Sequence, residues 1–178
     1  MNINFIPVRY ATALYNYACE RGSDNEIYRQ AVVFSAILTE NKVIKSVLAN
    51  PVADKKAKQE ILFSLFKQKI HSDLEKFILF LFKKEREIFI NEILYRYVAL
   101  YREKNNIHFG KLTTAVPLDK EAEQQIVSVM SEKIKGALEI ETGNDNTLVG
   151  GFVLEVDNVR CDASVKGKLQ RMKKELVG

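Results

Sequence analysis

Two histidines, two cysteines and one Gly-Gly pair are the residues from which chemistry could most readily be built in this chain. His71 and His108 lie far apart, and neither has a carboxylate or cysteine at ligand spacing, so no metal site is legible. Both read as ordinary surface or interface residues. Cys19 and Cys161 also lack metal-ligand spacing, and two distant thiols do not make a disulfide framework. Gly150-Gly151 is placed inside a strand running from Leu148 to Val156, without the Gly-rich turn into a helix that a phosphate cradle requires. Such a pair reads as a bend or a close backbone approach. There is no nucleophile elbow, and the acidic residues look like solvated helix faces. Catalytic residues, metal and cofactor are therefore all expected to be none.

Charge suggests a second kind of function. Lys166, Lys168, Arg171, Lys173 and Lys174 cluster on the last predicted helix and could contact phosphates. The same cluster suits the wet face of an amphipathic helix near its C-terminus. No aromatic residues are interleaved to stack bases. The net charge of +4, with acids and bases interspersed, names no nucleic-acid partner. A small basic nucleic-acid-binding or adaptor protein stands as the alternative reading.

Surplus apolar surface suggests a third. The stretch Ser72 to Lys84 contains six uninterrupted apolar residues, Phe77 to Phe82. At about a dozen residues it is too short to span a bilayer, which needs roughly 20. It is also apolar on more sides than the single stripe of a surface helix. Leu74, Ile78, Leu81 and Phe82 fall on one side of the wheel; Phe77 and Phe80 fall on a flank shared with Asp73, Lys76 and Lys84. The first helix shows the same doubling, with Tyr10, Ala13 and Tyr17 beside its core stripe. Two such flanks can form a groove for a partner helix, or the bundle itself can cover both. The pattern leaves the choice open.

The elements that position these residues follow from periodicity. A composition 47% hydrophobic and 28% charged, with three prolines and eight glycines, is that of a globular protein with long regular elements. Pro7 suits the first turn of a helix. Ala11, Leu14, Tyr15 and Ala18 continue it, and Gly22 ends it. Ser23 with Glu26, and Ser72 with Glu75, are expected capping boxes. Ile27, Ala31, Phe34 and Leu38 mark the second helix. A short turn with Val43, Ile44, Val47 and Leu48 stops at Asn50-Pro51. Asp54 caps the next helix, whose line is Ala57, Ile61, Leu65 and Phe66. After the Ser72 helix, Ile90, Ile93, Leu94, Tyr97, Leu100 and Tyr101 mark a long one. The architecture to residue 105 is an all-helical bundle.

After Asn105-Asn106 the period changes. Ile107 to Val116 is a strand, with Leu112, Thr114 and Val116 alternating against Lys111, Thr113 and Ala115 and a bulge at Gly110. Pro117-Leu118-Asp119 starts a helix with the stripe Ala122, Ile126, Val129, Met130 and Ile134. Leu138 to Thr142 is a half-buried strand, Asp157-Asn158 a tight turn, and Val159 to Cys161 a short strand. Asp162 caps a final helix with the stripe Val165, Leu169, Met172 and Leu176. The fold class is mainly α: residues 1–105 form a helical bundle and 106–178 a small C-terminal α/β domain. The N-terminus lacks a basic region followed by an apolar run, so no signal peptide is expected.

In order and spacing, several stretches resemble the delta subunit of the F-type ATP synthase, the family of the oligomycin-sensitivity-conferring protein. Arg9-Tyr10-Ala11-Thr12-Ala13-Leu14-Tyr15 is similar to the family's opening Arg-Tyr-Ala-x-Ala-Leu-Phe. Leu48-Ala49-Asn50-Pro51 matches its Leu-x-Asn-Pro, and Val116-Pro117-Leu118 its connection into the second domain. Leu148-Val149-Gly150-Gly151 and Asp162-Ala163-Ser164-Val165-Lys166-Gly167-Lys168-Leu169 resemble Leu-Ile-Gly-Gly and Asp-Gly-Ser-Val-Arg-Gly-Arg-Leu. The resemblance implies a six-helix N-terminal bundle and a non-catalytic stator subunit. It would link the alpha/beta catalytic head to the b-type peripheral stalk, so that rotor torque drives ATP synthesis. Its implied partners are the alpha subunit's N-terminal segment, on helices one and five, and the b-type stalk subunits. It implies no nucleic acid, and membrane contact only through the complex, at the cytoplasmic face of a bacterial inner membrane. Carried over by position, the alpha-facing residues are Tyr10, Ala13, Tyr17, Phe77, Phe80 and Lys84.

Overall fold

The structure, a computed structural model, describes residues 5–66, 69–117, 125–126, 128, 136–157 and 159–177. Among them are seven α-helices and a four-stranded sheet, a mainly helical chain with its sheet toward the C-terminus. The chain divides into two compact units, Met1–Tyr101 and Arg102–Gly178.

The first unit is built from α1 (Phe5–Arg21), α2 (Asp24–Glu40), α3 (Lys42–Ala49), α4 (Lys55–Ser64), α5 (Ser72–Lys83) and most of α6 (Ile90–Lys104). A single 3-10 turn, Glu87–Phe89, leads into α6. α1, α2, α5 and α6 bury most of the stripe their spacing defines. Leu14 and Ala18, Ile27, Ala31, Phe34 and Leu38, and Ile90, Ile93 and Tyr97 are all fully enclosed. Leu74, Ile78, Leu81 and Phe82 of α5 join them, each contributing roughly 1.5–3 kcal/mol of apolar burial. Tyr15 packs edge-on to Tyr101, and Tyr28 stacks on Tyr101 at 4.2 Å between ring centroids. Burial raises the Tyr97 hydroxyl well above its ordinary pKa. That hydroxyl is satisfied by donating to the Asp24 carbonyl at 3.0 Å.

The helix ends differ from the expected boxes. α1 closes on Gly22 at φ +63°, where the Gly22 N–H donates to the Cys19 carbonyl and the Ser23 N–H to the Ala18 carbonyl. This double bond pattern needs a left-handed residue, which glycine adopts without steric penalty. Ser23 precedes α2 but makes no side-chain cap, because its hydroxyl is drawn to Asp73 instead. The cap of α5 is His71 rather than Ser72, its Nδ1 accepting from the Asp73 N–H at 3.3 Å. Asp54 caps α4 as its position predicts, accepting from Ala57 N–H.

The inner face of α4 is also shifted. Ile61 is exposed, and Leu65 and Phe66 lie beyond the helix end at Ser64. Lys58 and Leu62 are buried in their place. Lys58 can be inside because its ammonium donates to the Leu48 carbonyl at 3.1 Å and meets Glu87 Oε1 at 3.2 Å. Buried charges are tolerated when paired in this way. The ring of Phe66 packs on Phe34 with centroids 3.9 Å apart.

The second unit carries β1 (Ile107–Thr114), β2 (Ala137–Asn144), β3 (Phe152–Val156), β4 (Val159–Asp162) and α7 (Val165–Val177). The sheet order is β2-β1-β3-β4, with β1 parallel to β2 and antiparallel to β3, and β3 antiparallel to β4. Leu112, Leu154 and Val156 form its core, with Ile126 and Leu138 packed against them. Most of the helix expected from Pro117 to Gly136, with Ala122, Val129, Met130 and Ile134, lies outside the described residues, as does Asn158 of the tight turn.

Four expectations are corrected here. β1 keeps one unbroken register through Gly110, so there is no bulge. Glycine stands there because a Cβ would meet Val156 Cγ2 at 2.9 Å and the Glu155 carbonyl at 3.2 Å. The alternation ends with β1 at Thr114, leaving Ala115 buried and Val116 exposed. Gly150-Gly151 precede β3 instead of lying within a strand. A 3-10 turn at Asn146–Leu148, Val149 at φ +66° and Gly151 at φ +77° bend the chain first. Finally, the cap of α7 is Ser164, whose Oγ accepts from the Gly167 N–H while donating to Asp162 Oδ1 at 2.6 Å. Asp162 holds the cap in place and does not itself cap.

Candidate docking surface

Antiparallel neighbours α1 and α5 meet along Tyr10 with Phe80 and Tyr17 with Asp73. The Tyr10 and Phe80 rings lie 6.3 Å apart at 48°, a tilted contact on the protein surface. Tyr10 is half-buried, Phe80 is 43% exposed, and Leu79 beside it is exposed as well. Ala13 stands exposed on α1; Phe77 and Tyr17 are half-buried. Lys84 follows α5, its ammonium 5.8 Å from the centroid of the Phe80 ring. The structure thus brings Tyr10, Phe80 and Lys84 into one strip. Tyr17 extends toward Asp73, while Ala13 and Phe77 keep the side of their helices that the wheel assigns.

Beneath the far end of the strip sits a charged junction that helical spacing does not reveal. Asp73 is buried, and its carboxylate accepts from Arg21 Nε at 3.0 Å, Ser23 Oγ at 3.2 Å and Tyr17 Oη at 3.3 Å. Burial alone pushes the Asp73 carboxyl up. The Arg21 guanidinium and the hydroxyls of Ser23 and Tyr17 outweigh it and hold the group below its ordinary range. His71 completes the junction. With Nδ1 accepting from the Asp73 N–H, its proton belongs on Nε2, which faces Glu26 Oε2 at 3.2 Å. The His71 N–H in turn donates to Gln30 Oε1 at 2.8 Å. One carboxylate therefore ties the end of α1 and the start of α2 to the start of α5.

Arg9 and Arg21 were absent from the sequence-derived set, yet each guanidinium lies over a ring, Arg9 5.7 Å from Tyr10 and Arg21 5.4 Å from Tyr17. The signal that could have found them is position. Each is next to, or one helical turn from, a tyrosine of the strip. Asp73 carried no such signal, since an acid in a first helical turn is ordinary dipole chemistry.

The other sequence candidates stay apart from this strip. His108 Nδ1 lies 2.7 Å from Asp157 Oδ2 in the second unit. Cys19 and Cys161 are exposed free thiols. On α7, Lys166, Lys168, Arg171 and Lys173 are exposed. Of the apolar stripe assigned to this helix, Leu169 at 60% and Met172 at 58% are exposed too. No group of three metal-ligating side chains occurs among the described residues.

The helical unit thus presents an aromatic strip framed by cations. Comparison with known proteins names the family. The family model described as ATP synthase delta (OSCP) subunit matches residues 6–176. A Phocaeicola vulgatus protein named ATP synthase subunit delta is 32% identical over 178 residues, covering 99% of this chain and 96% of its own length. A Bacteroides fragilis protein of the same name is 33% identical over 180 residues with the same coverage. A chain in the cryo-EM structure of the Toxoplasma gondii mitochondrial ATP synthase hexamer shares the fold, with a TM-score of 0.67, 17% identity and 97% of each chain covered. The chain belongs to the ATP synthase delta (OSCP) subunit family, whose members are non-catalytic subunits of ATP synthase.

Proposed function

We propose that this chain, a non-catalytic stator subunit of an F-type ATP synthase, grips the catalytic head through the α1/α5 strip. In this reading the first unit is a six-helix bundle, and an amphipathic N-terminal segment of an alpha subunit lies across Tyr10, Ala13, Tyr17, Phe77, Phe80 and Lys84. The observation that carries it is the exposed Phe80 ring set against Tyr10, an apolar contact left open on the helical unit. A helix laid in such a groove makes a dry contact that keeps its strength at cellular salt, unlike exposed ion pairs. A link that resists rotor torque needs that property.

The b-type stalk subunits are assigned to the second unit. The support is the apolar stripe of α7, with Val165, Leu169 and Met172 all exposed. No helix among the described residues is long and apolar enough to cross a membrane. The protein would accordingly reach the cytoplasmic face of a bacterial inner membrane through its complex. Affinity purification of the tagged full chain from detergent-extracted membranes tests the assignment. Alpha, beta and b subunits are expected to co-purify; their absence under conditions that keep the synthase intact would overturn it.

A further inference from the structure

We infer that the α1/α5 strip selects its partner by charge, taking a helix whose apolar face is flanked by carboxylates. The inference rests on the docking reading above and specifies the chemistry of the occupant, an acid-flanked N-terminal segment of the alpha subunit.

The strip is framed almost entirely by cations. At 3.6 residues per turn, Lys76 and Lys83 lie about 40° and 60° to one side of Phe80, and Lys84 about 40° to the other. On α1, Arg9 precedes Ala13 by one turn and edges the same face. All of these residues are exposed. Two of the charges are held over the rings themselves, Arg9 above Tyr10 and Lys84 above Phe80. A cation resting on a ring face is oriented before any partner arrives.

The local carboxylates do not cancel this field. Asp73 is buried and already engaged, by Arg21 and Ser23 at Oδ2 and by Tyr17 at Oδ1, with Lys76 also 3.8 Å from Oδ1. Glu75 projects from the far side of α5, well round the wheel from Phe80. Glu20 is the one exposed carboxylate on the α1 edge of the strip among the described residues, and it stands near the Arg21 end. Arg9, Lys83 and Lys84 form no ion pair with a carboxylate among the described residues.

A partner helix lying over Tyr10 and Phe80 would bring its own flanks within reach of these three. Carboxylates there gain attraction, and lysines there meet like charge, which suppresses wrong partners and wrong orientations. The apolar strip supplies affinity and the rim supplies selection.

Two synthetic 20-residue helical peptides test this, with an identical Leu/Ile face and flanks of either glutamate or lysine. Each is titrated into the full-length protein by calorimetry at low and high salt. The acidic peptide is expected to bind more tightly, and the advantage to shrink as salt rises. The double reversal Arg9→Glu/Lys84→Glu is expected to weaken the acidic peptide roughly tenfold and to favour the basic one. Circular dichroism of the variant controls for folding, and Lys83→Glu alone provides a milder second variant. Equal affinities, preference for the basic peptide, or no binding of either overturns the inference. The alpha N-terminal segment of the same synthase is titrated in parallel. If it binds wild type and is lost in Phe80→Asp but ignores salt and charge reversal, docking stands and charge selection falls. If it does not bind at all, the docking reading falls, and the designed pair still decides charge selection.

Discussion

Arg21 Nε lies 3.0 Å from Asp73 Oδ2, joining the last turn of α1 to the first turn of α5 across 52 positions of sequence. This pair makes the start of α5 a fixed point, from which Phe77 and Phe80 are presented beside Tyr10.

The junction makes stability depend on pH in a defined direction. The folded-state pKa of Asp73 is depressed below the ordinary value of 3.8. Its contribution is therefore complete above that value and is lost as pH falls through the lower folded pKa. Asp73→Asn should lower the thermal midpoint at neutral pH, and the gap to wild type should close in strong acid. Melting curves across the acid range check this; a gap that widens toward low pH would contradict the sign.

Phe80→Asp should leave the helical unit folded, because the ring is 43% exposed, and should weaken binding of an alpha N-terminal peptide. A central aromatic contact is worth about 2 kcal/mol or more, a loss of roughly thirtyfold. Peptide titration with circular dichroism as the folding control gives the answer. Loss of helicity would place Phe80 in the core instead.

Lys58→Ala should destabilise the first unit by about 3 kcal/mol, since Glu87 would be left as an uncompensated buried charge. Replacing both partners, as Lys58→Met/Glu87→Leu, should recover most of that loss. All seven tyrosines lie at or before residue 101 and the chain has no tryptophan, so tyrosine fluorescence in urea follows this unit selectively.

Gly151→Ala should act on the other unit. Gly151 has φ +77°, and a Cβ there would collide with the Ala163 carbonyl oxygen, a backbone atom. A loss of about 3 kcal/mol is expected, from overpacking together with the left-handed backbone penalty. Gly22→Ala, also at positive φ but with open space around it, should cost about 1 kcal/mol. The circular dichroism transition of Gly151→Ala should shift while its tyrosine transition stays in place.

The sequence by itself determined the inner stripes of α1, α2, α5 and α6, the change of period after Asn105-Asn106, and the division of α5 into a core side and a second aromatic flank. These are local properties. Burial of Leu74, Ile78, Leu81 and Phe82 needs only that one face of a helix turn inward, and spacing encodes that face. The family motifs were legible for the same reason, as ordered short strings. Only the tertiary structure decided where the polar groups went. Asp73 reads as a helix-start acid until Arg21, Ser23 and Tyr17 arrive from a distant helix. Lys58 lies off the apolar line read for α4 and is inside only because Leu48 and Glu87 close over it, and Gly110 reads as a bulge until Val156 crowds it. Local pattern records which side of an element is apolar. It does not record which partner a polar group meets when segments far apart in sequence are brought within 3 Å, and at Asp73 that partnership fixes the helix start from which the docking strip is presented.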